Sequence, residues 1–168
     1  MADTVTEDSD STEERRSKPT EIDILLVEDN PADIELCLHS FRRRGLANRV
    51  RVARDGAEAL EILLNEDPAA PRPPRLLLLD LHLPMMDGLE VLEKVRADPR
   101  TRTVPVVLLT SSDAETDRLK AYVSGANSYL VKPVDARSFE VLVDELSLYW
   151  LKFNRPDTER DNKAQPRT

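Results

Sequence analysis

The chain has 168 residues, 40% of them hydrophobic, enough for one domain with its own core. A net charge of −8 and an aromatic content of 4% argue against a nucleic-acid binder or a base-stacking platform. The single cysteine, Cys37, rules out an internal disulfide framework and a cysteine zinc site, and no apolar stretch approaches the roughly 20 residues that span a bilayer. The start carries Asp3, Glu7, Asp8 and Asp10 rather than a secretory signal, so the expected location is the cytoplasm, away from membranes.

Residues 1–20 are charged and lack hydrophobic periodicity, as do residues 155–168; both read as disordered tails around a domain at 21–154. Residues 22–27 form an apolar strand ending at Glu28-Asp29. Asn30-Pro31 then supplies a helix cap with proline at the first helical position. Ile34, Cys37, Leu38 and Phe41 share one face of that helix, and Gly45 follows its end. Val50 and Val52 mark a short second strand. Asp55 caps a helix containing Ala57, Leu60, Ile62, Leu63 and Leu64. The proline-rich stretch 67–74 is a loop.

Leu76-Leu77-Leu78-Leu79 is a third strand, ended by Asp80. Asp87 caps a third helix carrying Leu89, Val91, Leu92 and Val95. Residues 104–110 form the fourth strand, with Pro105 near its start and Thr110 at its end. A helix over 114–124 stops at Gly125. Residues 128–131 form the fifth strand, followed by Lys132-Pro133, and a last helix runs over 136–153. Five strand–helix units of this length predict an α/β fold: a doubly wound parallel sheet with helices on both faces.

In such a sheet every strand points its C-terminal tip at the same edge, where open α/β folds place their chemistry. Glu28, Asp29 and Asp80, the hydroxyl of Thr110 and the ammonium of Lys132 therefore converge. Crowded carboxylates repel unless a cation relieves them. An oxygen-only donor set favours Mg²⁺ over zinc. Asp80 is the best nucleophile, because a carboxylate needs no deprotonation at neutral pH, and phosphoryl transfer asks mainly for positioning and charge neutralisation.

On the runs Leu26-Val27-Glu28-Asp29-Asn30-Pro31, Asp80-Leu81-His82-Leu83-Pro84-Met85-Met86-Asp87-Gly88, Leu109-Thr110-Ser111-Ser112 and Lys132-Pro133, the chain resembles the receiver domain of prokaryotic response regulators. The intervals between positions 80, 110 and 132 also match. The resemblance implies a flavodoxin-like five-stranded sheet in the order 2-1-3-4-5 with five helices. It makes Asp80 the phosphoacceptor. Mg²⁺ would be bound by Asp29, by Glu28 directly or through water, by Asp80, and by the backbone carbonyl of His82. Lys132 would contact the phosphoryl group, and its bond to Pro133 would be cis. Thr110 would move toward the phosphate, and the switch residue Tyr129 would turn inward.

The implied function is a single-domain regulator phosphorylated by a sensor histidine kinase, not an enzyme. An aspartyl-phosphate phosphatase and a phosphorelay intermediate are the alternatives. Glu28-Asp29-Asn30-Pro31-Ala32-Asp33, Ala97-Asp98-Pro99 and Tyr149-Trp150-Leu151 are also similar to the regulators paired with phytochrome-type kinases, although the tail lacks that group's Leu-Pro ending.

The last helix carries two apolar stripes. Phe139, Leu142, Val143, Leu146 and Trp150 have core spacing, while Val141, Leu148 and Leu151 lie on another face, with Tyr149 near its edge. The second stripe suggests a homodimer through the fourth helix, fifth strand and last helix. Cys37 reads as core, His39 as solvated, and Arg42-Arg43-Arg44 as a complement to the helix dipole. His82 and Ser112 occupy positions that tune phosphate lifetime in receivers.

Overall fold

The computed structural model describes residues 22–67 and 70–155, apart from the side chain of Asn48; the tails predicted at 1–20 and beyond Arg155 lie outside the described residues. Strands β1 (Ile24–Val27), β2 (Val50–Ala53), β3 (Leu76–Leu79), β4 (Val106–Thr110) and β5 (Ser128–Val131) alternate with helices α1 (Pro31–Arg43), α2 (Gly56–Leu63), α3 (Gly88–Ala97), α4 (Glu115–Val123) and α5 (Ala136–Leu148). All pairings are parallel, and the order is β2-β1-β3-β4-β5, as predicted. No helix among the described residues is long and apolar enough to cross a membrane.

The strands alternate faces with period two, and both faces are covered. Leu25, Val27, Leu77, Leu79, Val106 and Leu108 face α2 and α3. Ile24, Leu26, Leu76, Leu78, Val107 and Leu109 face α1 and α5, meeting Cys37, Phe41, Phe139 and Val143. The three central strands are buried along their whole length, so an unbroken leucine and valine run is the pattern that fits them. Each such side chain contributes about 1.5–3 kcal/mol through burial.

Four of the helices begin on side-chain caps: Asn30 Oδ1 accepts from the Ala32 N–H, Asp55 from Glu58, Asp87 from Glu90 and Asp135 from Ser138. Helix α4 has no side-chain cap and only one buried residue, Ala121. It ends at Gly125, whose φ of 94° suits glycine.

Several boundaries differ from the sequence expectation for identifiable reasons. Strand β1 starts two residues later, because the Asp23 carboxylate is held by the Arg49 guanidinium at 2.8 Å and its carbonyl accepts from the N–H groups of Arg75 and Leu76. Strand β4 starts after Pro105, which has no N–H to give. Helix α2 closes at Leu63, leaving Leu64 outside as its cap. Helix α5 is α-helical only to Leu148; Tyr149–Phe153 forms a wider π turn, closed by the Asn154 N–H on the Tyr149 carbonyl at 2.7 Å. This shift of phase turns Leu151 onto the α1–α5 core, correcting its assignment to the outer stripe. The Leu151 carbonyl accepts from Arg75 at 2.8 Å, which fixes the turn.

Arg96, in the last turn of α3, joins three segments. Its guanidinium donates to the carbonyls of Gly125, Arg102 and Val104 and to Asn127 Oδ1. Asn127 Oδ1 also accepts from the Val106 N–H, so the two side chains together dock the entries to β4 and β5. Burial pulls the Arg96 pKa below its ordinary value, a cost these bonds offset. Arg96→Met keeps the aliphatic stem and removes every bond. We expect it to lower the unfolding free energy by about 2–3 kcal/mol in chemical denaturation; an unchanged midpoint would show that the bonds are replaced by water.

Candidate phosphoryl and metal site

The strand tips carry the chemistry. The ladders continue for one residue past the strands: the N–H groups of Glu28, Asp80 and Lys132 donate to the carbonyls of Ala53, Val27 and Thr110 at 3.0, 3.0 and 2.8 Å. This ties each functional residue to a neighbouring strand. Glu28 and Asp80 are buried, Thr110 is fully buried, and Asp29 is exposed at the mouth.

Lys132 Nζ lies 2.6 Å from Glu28 Oε2, 2.9 Å from Asp80 Oδ2 and 2.9 Å from Asp33 Oδ2. The second oxygens also have donors. Glu28 Oε1 accepts from the Asn30 N–H at 3.0 Å, and Asp80 Oδ1 from the His82 N–H at 3.2 Å. Burial is the largest effect on Lys132 and works against its charge. The three carboxylate bonds outweigh it and raise its pKa above the ordinary lysine value. Burial likewise dominates at Glu28 and raises its pKa, assisted by the charge of Asp80 and opposed by Lys132. The native state therefore binds a proton at Glu28 more readily than the unfolded chain. Its contribution to stability falls as pH rises from the unfolded value of 4.5 through the raised native one.

Oxygens of Glu28, Asp29 and Asp80 all lie within 4.8 Å of one another. The set contains only hard oxygen donors, which fits a small divalent cation such as Mg²⁺. His82 has an exposed side chain and touches Asp80 through its backbone.

The loop after Asp80 is packed tightly against it. The Gly88 N–H donates to the Leu81 carbonyl at 2.8 Å, and a Cβ at Gly88 would run into the Asp80 carbonyl oxygen. Met85, at the turn, adopts a φ of 64° that a non-glycine residue rarely takes. Asp87 caps α3 as expected.

Thr110 Oγ1 accepts from the Ser112 N–H at 3.3 Å. Tyr129, expected to turn inward, already lies inward: it is buried, and its hydroxyl donates to the Ser112 carbonyl at 3.0 Å. Packing in the core on the α2–α3 side and a satisfied hydroxyl hold it there. The predicted cis bond at Pro133 is corrected as well: no peptide bond among the described residues is cis. The trans isomer is intrinsically favoured by about 0.5–1 kcal/mol, and Lys132 already spans to all three carboxylates in it.

Asp33 was not singled out from sequence as a site residue. The available signal was its place in the first turn of α1, two residues past Pro31, where an acid is favoured by the dipole. Cys37 is core, as expected, and burial pushes its thiol up to about 12, with the charge of Glu28 adding to the shift. His39 is exposed and meets Glu140 at 3.2 Å. Arg43 and Arg44 pair with Glu140 and Asp144 of α5, so they tie α1 to α5 as well as complementing the helix end.

A doubly wound sheet with an acidic pocket at the tips of β1 and β3 and a lysine after β5 defines a class of phosphorylation-controlled signalling domains. The response regulator receiver domain model matches residues 24–144, and the chain belongs to that family. It is 42% identical over 132 residues to the probable methanogenesis regulatory protein FilR2 of Methanothrix harundinacea, covering 79% of this chain and 85% of that one. It is 34% identical over 137 residues to the response regulator Rcp1 of Synechocystis sp., covering 81% and 92%. The Mn²⁺-bound crystal structure of Rcp1 matches it with a TM-score of 0.73, over 79% of this chain and 96% of that one, at 33% identity. The crystal structure of the phosphorylated cyanobacterial phytochrome response regulator RcpA gives a TM-score of 0.76 at 34% identity, covering 82% and 99%.

Removing the ammonium isolates its electrostatic role. Lys132→Met leaves buried carboxylates without their shared cation, and we expect a loss of about 3 kcal/mol at neutral pH. Mg²⁺ should restore part of the loss by binding the native pocket. Thermal unfolding with and without MgCl₂ tests both halves; a variant as stable as wild type in EDTA would refute the neutralising role.

Proposed function

We propose that Asp80 accepts a phosphoryl group from the phosphohistidine of a sensor kinase, and that the acyl phosphate switches a protein–protein surface. The observation that carries this reading is Asp80 Oδ2, 2.9 Å from the Lys132 ammonium and grouped with the oxygens of Glu28 and Asp29. Glu28, Asp29, Asp80 and the His82 carbonyl would hold Mg²⁺, which supplies charge neutralisation for the phosphoryl oxygens.

In the transfer, an Asp80 carboxylate oxygen forms a bond to phosphorus and the phosphorus–nitrogen bond to the donor imidazole breaks. The imidazole nitrogen leaves with the electron pair. Lys132 then has phosphoryl oxygens in place of the carboxylate oxygen it now holds, and Thr110 offers them a hydroxyl. The phosphoryl group carries roughly −1.5 to −2 charges and replaces the single charge of the carboxylate, so the site gains about one negative charge. This is regulatory phosphoacceptance rather than turnover of a small substrate. Two residues after Asp80, where an aspartyl-phosphate phosphatase would carry a further carboxylic acid, this chain has the exposed His82. The phytochrome-linked name of RcpA supports a phytochrome-type kinase as the donor.

Incubation with Mg²⁺ and acetyl phosphate tests the acceptor. Wild type should take label as a hydroxylamine-labile acyl phosphate and Asp80→Asn should not; equal labelling of the two would remove Asp80 from the mechanism.

The output surface is proposed to be the α4–β5–α5 face, which makes a two-fold homodimer. Leu119, Tyr122, Val123, Val131, Val141 and Tyr149 are exposed there, an apolar set large for a surface that stays in water. Sedimentation should find a dimer that Val123→Asp weakens at least about tenfold, by placing a charge in a buried patch. A monomer in both phosphorylation states would overturn this surface.

A further inference from the structure

Asp33 belongs to the site without belonging to its ion-binding group. Glu28, Asp29 and Asp80 can share a cation, whereas Asp33 reaches the pocket only through Lys132. It sits in the first turn of α1, a segment fixed by the Asn30 cap and by Pro31. It is only partly exposed, and no other hydrogen bond of its side chain is present among the described residues.

The ammonium is shared among three carboxylates, and two of them, Glu28 and Asp80, are also ion ligands in the reading above. A divalent ion that takes those oxygens withdraws negative charge from Lys132 and repels it. Unless another partner holds it, the ammonium must either compete with the ion or leave the pocket. We propose that Asp33 is a positioning residue: it retains Lys132 beside Asp80 once a divalent ion has claimed Glu28 and Asp80, so that ion and ammonium are present together. The inference rests on the proposed role of the pocket. It gives a role to a third carboxylate that meets Lys132 but stands outside the group of Glu28, Asp29 and Asp80. An incoming phosphoryl group would then meet two cationic centres already in place.

Magnesium binding alone, followed by isothermal titration without any phosphodonor, tests this in a double-mutant cycle. Asp33→Asn should weaken Mg²⁺ binding about tenfold when Lys132 is present and less than about twofold in the Lys132→Met background. Asp33→Glu should recover most of the affinity. Equal losses in both backgrounds would mean that Asp33 acts by plain charge attraction, and the positioning role would fall. Asp33→Ser repeats the measurement with a different side chain, and thermal unfolding establishes that each chain is folded. Wild type that binds no Mg²⁺ would instead defeat the ion-dependent reading of the whole pocket. The two failures are therefore distinct.

Discussion

One ammonium group holds the functional edge together. The parallel sheet leaves Glu28 and Asp80 no choice of position, since each follows a buried strand directly and is bonded through its N–H to the neighbouring strand. Two carboxylates set this close, in a pocket that water barely enters, would repel and lose much of their solvation. Lys132 arrives from β5 by the same logic, and its charge is shared with both, and with Asp33. The arrangement is stable as a set and costly in parts. A site built this way is poised for exchange, because any incoming cation or anion must redistribute bonds that already exist.

Hydrogen bonds link the end of β4 to α4 and β5 through one residue. Thr110, Tyr129 and Asp117 all meet at Ser112: the first accepts from its N–H, the second donates to its carbonyl, and the third accepts from its hydroxyl at 2.6 Å. Asp117 lies in the first turn of α4, the helix without a side-chain cap and with a single buried residue. A pull on Thr110 therefore reaches the least anchored helix through one residue. The exposed apolar side chains of α4 and β5 lie at the end of that path, which is where a change of partner affinity would be useful.

What the sequence made legible follows from how strongly each feature is determined locally. Runs such as Leu76-Leu77-Leu78-Leu79 admit few alternatives once turns bound them, and caps at Asn30, Asp55 and Asp87 sit immediately before the helices they start. The meeting of Glu28, Asp80 and Lys132 at one sheet edge followed from strand direction. Asp33 was harder to see, because its contact with Lys132 spans 99 positions and depends on the rotation of α1. The π turn at the end of α5 was also hidden. It is stabilised by Arg75, from a distant segment, and it changes which side of the chain Leu151 presents. Asp23 looked like a strand residue until Arg49 was placed beside it.

The two edges of the sheet divide labour by charge type. Carboxylates gather at the C-terminal edge around a single lysine, a compact and exchangeable cation. The N-terminal edge is stitched by arginines, whose planar, multiply donating heads suit fixed bonds to carbonyls. Arg49 holds Asp23, Arg75 holds the end of the last helix, Arg96 binds the two loops that enter β4 and β5, and Arg100 reaches the carbonyls of Leu64 and Asn65 while its bond to Asp98 depresses that carboxyl to about 2. At the C-terminal edge the least anchored helix is α4, without a side-chain cap and with a single buried residue, Ala121.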